Sequence, residues 1–259
     1  MFTPHFKAAN QLSVGVTPAY ATRVDCAAVI PCRNEAAAIG PLVTAVRAHL
    51  PRVLVVDDGS TDSTAEVARK AGAEVLTSAS SQGKGAALRT GLRRARELGC
   101  AWALLLDGDG QHAPEDIPAF LATMHAGHAD LVIGNRMISP GAMPPVRRGT
   151  NRLMSAVLSA LSGTQLPDTQ CGFRLLRLAV WETLPLQCAH FEVESEMLLA
   201  CLADGRRVEF IPVRSCYSTG HSKIRPVRDA LRWFAWLWRT RRDFARARAR
   251  VETSHKSPG

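Results

Sequence analysis

Asp107 and Asp109 end an apolar run, Trp102-Ala-Leu-Leu-Leu106, with a single glycine between them. If the extended chain continues through Gly108, side chains two apart project to the same side, and the two carboxylates meet at the sheet edge. Close carboxylates repel and favour a divalent cation between them; Mg²⁺ or Mn²⁺, hard ions that take oxygen ligands, suit the pair. Such an ion in turn binds a diphosphate. Gly108 and Gly110 leave room for a ligand, and Gln111 and His112 add polar reach. The plainer reading of the same residues is an Asp-Gly turn, common in loops.

Three further clusters carry chemistry. Asp57 and Asp58 precede Gly59-Ser60-Thr61-Asp62. Helix capping explains Ser60 to Asp62 but does not need two more acids, which could instead accept hydrogen bonds from a ribose or a base edge. No G-x-G-x-x-G follows the first apolar run, which argues against a Rossmann dehydrogenase. Gln82-Gly83-Lys84-Gly85 opens a helical pattern and reads either as an anion-holding helix start or as a surface turn with a solvated lysine; it is not a P-loop. Asp168-Thr169-Gln170-Cys171-Gly172-Phe173-Arg174 packs an acid, an amide and a guanidinium together. Arg174 could grip a phosphate bidentately and Asp168 could act as a base, against the alternative of a loop with a surface arginine. Glu192, Glu194 and Glu196 would spread over different faces of a helix, so that one or two at most point into a cleft.

The elements that must position these residues alternate. Short β-prone runs at Cys26 to Ile30, Arg52 to Val56, Glu74 to Thr77, Trp102 to Leu106 and Leu131 to Gly134 are separated by helical patterns near 36–49, 62–71, 84–98 and 115–126. Alternation of this kind implies β-α-β units and a mostly parallel sheet flanked by helices, an α/β fold. Ligands bind such sheets beyond the carboxyl ends of the strands, where Pro31 to Glu35, Asp57 to Ser60 and Asp107 to His112 fall. Beyond residue 135 the pattern is less regular: a helix from Arg148 to Ser162, a strand from Phe173 to Leu176, a helix from Glu194 to Ala203 and a strand from Arg207 to Val213. The expected organisation is a loosely ordered lead-in over 1–24, one domain over 25–225 with halves 25–135 and 136–225, and a basic helix and tail over 226–259.

Composition narrows the class. Of 259 residues, 46% are hydrophobic and 21% charged, which excludes disorder for most of the chain. Apolar stretches fall short of the roughly 18–20 residues that span a bilayer, and the first 25 residues lack a secretory pattern, so the expected location is cytoplasmic. Seven scattered cysteines without a C-x-x-C pair read as small core residues. The net charge of +9 is concentrated: eight arginines lie between Arg228 and Arg250 against only Asp229 and Asp243. There Leu231, Phe234, Leu237 and Trp238 form one side of a helix over Asp229 to Val251, broadened by Trp233 and Trp236. A basic helix rich in Trp favours an anionic membrane surface; a terminal helix packed on the core is the competing reading. The Trp face suits lipid better than nucleic acid.

Taken in order, Val29-Ile-Pro-Cys-Arg-Asn-Glu35, Val56-Asp-Asp-Gly-Ser-Thr-Asp62, Gly83-Lys-Gly-Ala-Ala87, Asp107-Gly-Asp-Gly-Gln-His112 and Cys171-Gly-Phe-Arg174 closely resemble the family 2 inverting glycosyltransferases. Within them the chain looks most like the dolichyl-phosphate and polyprenyl-phosphate sugar transferases, over about Cys26 to Arg228. The resemblance implies a GT-A type nucleotide-diphospho-sugar transferase fold, here with a C-terminal amphipathic helix. It also implies a UDP- or GDP-sugar donor, a polyprenyl-phosphate or other lipid acceptor, and a divalent metal (Mg²⁺ or Mn²⁺). By matching position it places Pro31, Asn34, Glu35, Asp57 and Asp58 at the nucleotide, and Asp107, Asp109 and Gln111 at the metal. Arg136 and Arg174 fall near the donor and acceptor phosphates, Asp168 at an essential carboxylate, and Lys223 of Ser222-Lys223-Ile224 near the acceptor phosphate. Lys84 joins the donor side. Tyr217 stands three residues before Gly220, where the dolichyl-phosphate mannose pattern has Arg. The chain lacks the C-terminal spanning helices of some relatives, which fits an enzyme peripheral on the inner face of the membrane. An anionic phosphate acceptor scarcely needs a base, whereas a hydroxyl acceptor would need one, with Asp168 the candidate. A non-lipid hydroxyl acceptor and a catalytically silent nucleotide-sugar-binding module are the alternatives.

Overall fold

The computed structural model describes residues 25–141, 143–216, 230–242 and 244. The expected lead-in over 1–24, the boundary at 225 and the tail beyond 244 lie outside the described residues.

The alternation read from the sequence builds a sheet. β1 (Cys26–Cys32), β2 (Val53–Asp57), β3 (Glu74–Thr77) and β4 (Trp102–Leu105) run parallel, joined through α1 (Ala36–Arg47), α2 (Thr64–Lys70) and α3 (Lys84–Glu97). β1, β2 and β4 are buried along their whole length, which is why they read as continuous apolar runs and not as alternating patterns. Burying each Val or Leu side chain contributes about 1.5–3 kcal/mol, so these strands set the register of everything mounted on their ends.

Beyond β4 come α4 (Ile117–Ala126), β5 (Leu131–Asn135), α5 (Pro145–Ser162), β6 (Arg174–Arg177), the short α6 (Leu178–Trp181), α7 (Val193–Ala203) and β7 (Val208–Pro212). The seven strands lie in the order β3-β2-β1-β4-β6-β5-β7. β6 is antiparallel to both β4 and β5, and Arg174 at its start pairs with Leu105 and with Ile133. The mostly parallel sheet is therefore as expected, with one reversed strand near its middle. A last helix, α8, spans 230–242. Among the described residues no helix is long and apolar enough to cross a membrane.

The structure begins α5 at Pro145, earlier than the expected Arg148, because proline suits the first helical position where its missing N–H is no loss. Periodicity alone does not register that proline as a start. Five of the seven cysteines are core residues, while Cys188 is half-buried and Cys216 exposed; burial pushes the Cys171 thiol up to about 11 and the Cys201 thiol up to about 12.

Candidate active site

The carboxyl ends of β1 and β2 are laced together by short side chains. Asn34, in the left-handed region at φ 52, accepts the Thr61 N–H on Oδ1 (2.8 Å), and its own N–H donates to Ser60 Oγ (2.9 Å). Glu35 N donates to Thr64 Oγ1 at 2.8 Å. Pro31 is buried within β1 opposite Val56. Asp57 accepts the N–H and hydroxyl of Ser60. Asp58 accepts Gln82 N (2.7 Å), Ser81 Oγ (2.7 Å) and Gly83 N (2.9 Å), so its carboxylate fastens the loop that leads into α3. Both acids are buried, and both hold protein groups, where the sequence suggested ribose or base contacts.

The glycines around Lys84 have a different cause from the one their pattern suggests. A Cβ on Gly83, at φ +98, would stand 2.3 Å from the Ala189 carbonyl oxygen, and one on Gly85 would stand 2.1 Å from that of Cys188. Gly85 N donates to Ala189 O at 2.8 Å. The segment after α6 thus lies directly on the start of α3, and two of the N–H groups expected to cradle an anion bind protein acceptors, Gly83 the Asp58 carboxylate and Gly85 the Ala189 carbonyl. This close approach turns Lys84 inward. Its ammonium contacts Asp107 Oδ1 and lies 2.5 Å from Glu194 Oε1 on α7.

Asp107 is enclosed. Its second oxygen is 3.5 Å from His112 Nε2, and a Cβ on Gly172 would come within 2.6 Å of it, so only glycine fits in the Cys171-Gly-Phe-Arg174 stretch. Burial disfavours the charged carboxylate, but the Lys84 ammonium and His112 outweigh that and hold Asp107 below the usual carboxylate range. Burial likewise disfavours the ammonium, and Asp107 with Glu194 more than offsets it, raising Lys84 above the ordinary lysine value. The extension expected through Gly108 does not occur. The chain turns at Gly108 and Asp109, with Gly110 left-handed at φ 72, and Asp109 Oδ1 accepts Gln111 N at 3.0 Å. The plainer reading of these residues, a turn, is therefore the conformation found. Gln111 Oε1 accepts Arg147 Nη1 at 3.0 Å, from the first turn of α5.

Among the described residues no three His, Cys, Asp or Glu side chains converge as a ready metal cage. The oxygens on offer are the carboxylates of Asp107 and Asp109 and the amide of Gln111. One Asp107 oxygen holds an ammonium and the Gln111 oxygen holds a guanidinium. These are hard donors in a place that attracts positive charge, which fits Mg²⁺ or Mn²⁺.

The half beyond residue 135 is organised by buried arginines. Arg136, just past β5, donates to Asp168 through Nε (2.8 Å), Nη2 (2.9 Å) and its backbone N–H (3.1 Å). Gln170 N adds a fourth donor at 3.2 Å, and Asp168 is 0% exposed. Arg174, 1% exposed, directs its guanidinium to the carbonyls of Cys171 (2.8 Å), Thr169 (2.9 Å) and Glu194 (2.5 Å). Burial lowers its pKa from the arginine norm, with Glu194 opposing. Where the sequence suggested a phosphate grip, the guanidinium ties the 169–171 loop to α7. The three glutamates do spread over different faces. Glu192 pairs with Arg232 at 3.1 Å, Glu194 with Lys84, and Glu196 accepts the N–H groups of Gln187 and Cys188, each at 2.9 Å. Glu194 and Arg147 are the site residues that sequence reasoning did not single out. The only signal for Glu194 was the triplet of acids, and for Arg147 there was none. Lys223 lies outside the described residues.

On α8, Trp233, Trp236 and Leu237 are buried, and Trp233 Nε1 donates to Ser195 Oγ at 2.8 Å. Leu231, Phe234 and Trp238 are 65%, 43% and 70% exposed. The single apolar side expected here is thus two: Leu237 leaves the set and joins the tryptophans packed inward, while an outer row keeps the other three.

The glycosyl transferase family 2 pattern matches residues 27–184, which run from within β1 through α6 and include Asp58, Lys84, Asp107 and Asp168. The chain belongs to glycosyl transferase family 2. This glycosyltransferase is 31% identical over 214 residues to glycosyltransferase AglJ of Haloferax volcanii, covering 81% of this chain and 69% of that one. It is 30% identical over 200 residues to the undecaprenyl-phosphate mannosyltransferase of Micrococcus luteus, covering 71% and 81%. To the UDP-N-acetylglucosamine–dolichyl-phosphate N-acetylglucosaminyltransferase of Methanococcus voltae it is 27% identical over 213 residues, covering 73% and 85%. Its fold is that of glucosyl-3-phosphoglycerate synthase from Mycobacterium tuberculosis, solved with Mn²⁺, uridine diphosphate and phosphoglyceric acid. The TM-score there is 0.64 at 19% identity, over 80% of this chain and 74% of that one. The GT-A-like α/β fold expected from the sequence is the fold found.

Proposed function

We propose that this glycosyltransferase moves a sugar from a UDP- or GDP-sugar to a polyprenyl phosphate, as a peripheral enzyme on the cytoplasmic, anionic face of a membrane. The burial of Asp168 carries the choice of acceptor. Its carboxylate is 0% exposed and both its oxygens are taken by Arg136, an arrangement that shuts it off from an incoming hydroxyl. A phosphate acceptor arrives already anionic and has no proton to give up. Its oxygen attacks the anomeric carbon from the face opposite the nucleoside diphosphate, the bond to the diphosphate breaks, and the configuration inverts.

In this reading Asp107, Asp109 and Gln111 hold a divalent ion, which when bound supplies Lewis-acid stabilisation of the diphosphate leaving group. Pro31, Asn34, Glu35, Asp57 and Asp58 shape the nucleotide pocket, the two aspartates by fastening the loops around it. Asp168 fixes Arg136 close to the reacting phosphates, and Arg174 acts one step back by holding the 169–171 loop. Lys223 is the further basic group that the sequence offers to the acceptor. The outer row of α8, set among arginines, suits the headgroup region of an anionic bilayer, and the named activities of the relatives on undecaprenyl and dolichyl phosphates support a lipid acceptor.

The test is mass-spectrometric detection of sugar on a short polyprenyl phosphate, using a panel of UDP- and GDP-sugars with Mg²⁺ or Mn²⁺, wild type beside Asp109→Asn. Transfer by wild type and at least a 100-fold loss in the variant are expected. Hydrolysis of a donor with the lipid left unmodified would sink the acceptor assignment while keeping the donor chemistry.

A further inference from the structure

Lys84 belongs to the donor half by sequence, yet its ammonium lies between a carboxylate of each half: Asp107 at the end of β4 and Glu194 on α7. Glu194 is buried, Lys84 nearly so and Asp107 partly exposed, and Leu88, Leu105, Val193 and Met197 line the small pocket around them with Arg174. The Arg174 guanidinium also lies near, bonded to the Glu194 backbone carbonyl, but among the described residues the carboxylate's one ion-pair partner is Lys84: its Oε1 takes the ammonium, and its Oε2 is buried without a hydrogen-bond partner. A buried carboxylate with a vacant lone-pair face is costly, so its retention beside Lys84 calls for a use. The Asp107 oxygen that Lys84 contacts is one of the oxygens that the metal reading assigns to a divalent ion. One oxygen cannot be fully engaged by both cations, since like charges a few ångströms apart in a shielded site repel strongly.

We infer that Glu194 is a positioning residue that receives the Lys84 ammonium when a divalent ion takes Asp107, so that Lys84 and the ion compete for Asp107 and Glu194 sets the balance. The second Glu194 oxygen gives the displaced ammonium a bidentate seat within the same pocket, and the move needs only rotation about the lysine side-chain bonds. Once seated there, the ammonium stays in the site beside the ion and adds positive charge where a diphosphate lies. The inference rests on the metal reading given above.

It is tested by binding Mn²⁺ alone, followed by loss of the free-ion electron paramagnetic resonance signal, to wild type, Lys84→Met, Glu194→Gln and the Lys84→Met/Glu194→Gln double variant. Removing the competing ammonium tightens Mn²⁺ binding about tenfold. Glu194→Gln leaves Lys84 with Asp107 as its one partner and weakens binding about threefold. In the Lys84→Met background the same Glu194→Gln substitution changes affinity by less than about twofold, because its effect passes through Lys84. The double variant removes the buried charges together and keeps the comparison available if Lys84→Met alone folds poorly. Unchanged or weaker Mn²⁺ binding on loss of Lys84 overturns the competition. Equal weakening by Glu194→Gln in both backgrounds overturns the positioning role, since Glu194 would then act on the ion directly. Wild type that binds no Mn²⁺, or binds it as well after Asp109→Asn, overturns the metal reading and this inference with it.

Discussion

The two halves of the molecule hold their polar residues by different means. In the half up to residue 135 the acids follow strand ends, and short side-chain bonds keep them there: Asp57 to Ser60, Asp58 to residues 81–83, Asp109 to Gln111. In the half beyond it long basic chains cross the interior, with Arg136 on Asp168 and Arg174 on three carbonyls from two elements. Local bonds are confined in effect, since each fastens one short stretch of chain. A buried guanidinium is not, because removing it strands every acceptor it served.

The sharpest way to break this contrast is Arg174→Ala, which is expected to cost about 4–5 kcal/mol of stability in urea unfolding, since three buried carbonyls lose charged donors. A loss under about 1 kcal/mol would mean that the loop holds itself. Asp168→Asn should cost about 3 kcal/mol by leaving Arg136 uncompensated, with transfer falling further than the fraction folded explains. Asp58→Ala, in the first half, is expected near 2 kcal/mol, with UDP or GDP binding by calorimetry weakened as the 81–83 loop loosens. If Asp58→Ala proves costlier than Arg174→Ala, the contrast between the halves is reversed. The smallest effect on folding is Trp238→Ala, within about 0.5 kcal/mol because the ring is exposed, while sedimentation with anionic vesicles should show binding several-fold weaker than wild type. Full retention of vesicle binding would remove the outer row of α8 from the membrane-facing surface.

The same contrast explains what could be read from the sequence. The parallel strands, their helices and the acids on their ends were legible because each depends on neighbours within a few residues: apolar runs, a helix start, a turn. The roles of Gly83 and Gly85 were not, since a pattern shaped like an anion loop owes its glycines to the carbonyls of Cys188 and Ala189, about a hundred residues away. Arg174 could be recognised as important but not as structural, because nothing local shows that its guanidinium would meet Thr169, Cys171 and Glu194 at once. Arg147 and Glu194 join the site only through tertiary packing of α5 and α7. On α8 helical spacing gave the apolar residues but not the division of them, which depends on what Trp233 and Ser195 do across the interface.

The reversed run of β6 has a consequence for where the chain can change. The segment that enters β6 and the segments that leave β4 and β5 open on the same rim, so one connection arrives where two depart. β6 is gripped by ladders on both flanks, and residues added ahead of Asp168 would bulge toward solvent without shifting that grip. Insertion or exchange in that one incoming connection can therefore change the rim beside β4 and β5 while the parallel strands β1, β2 and β4 stay as they are.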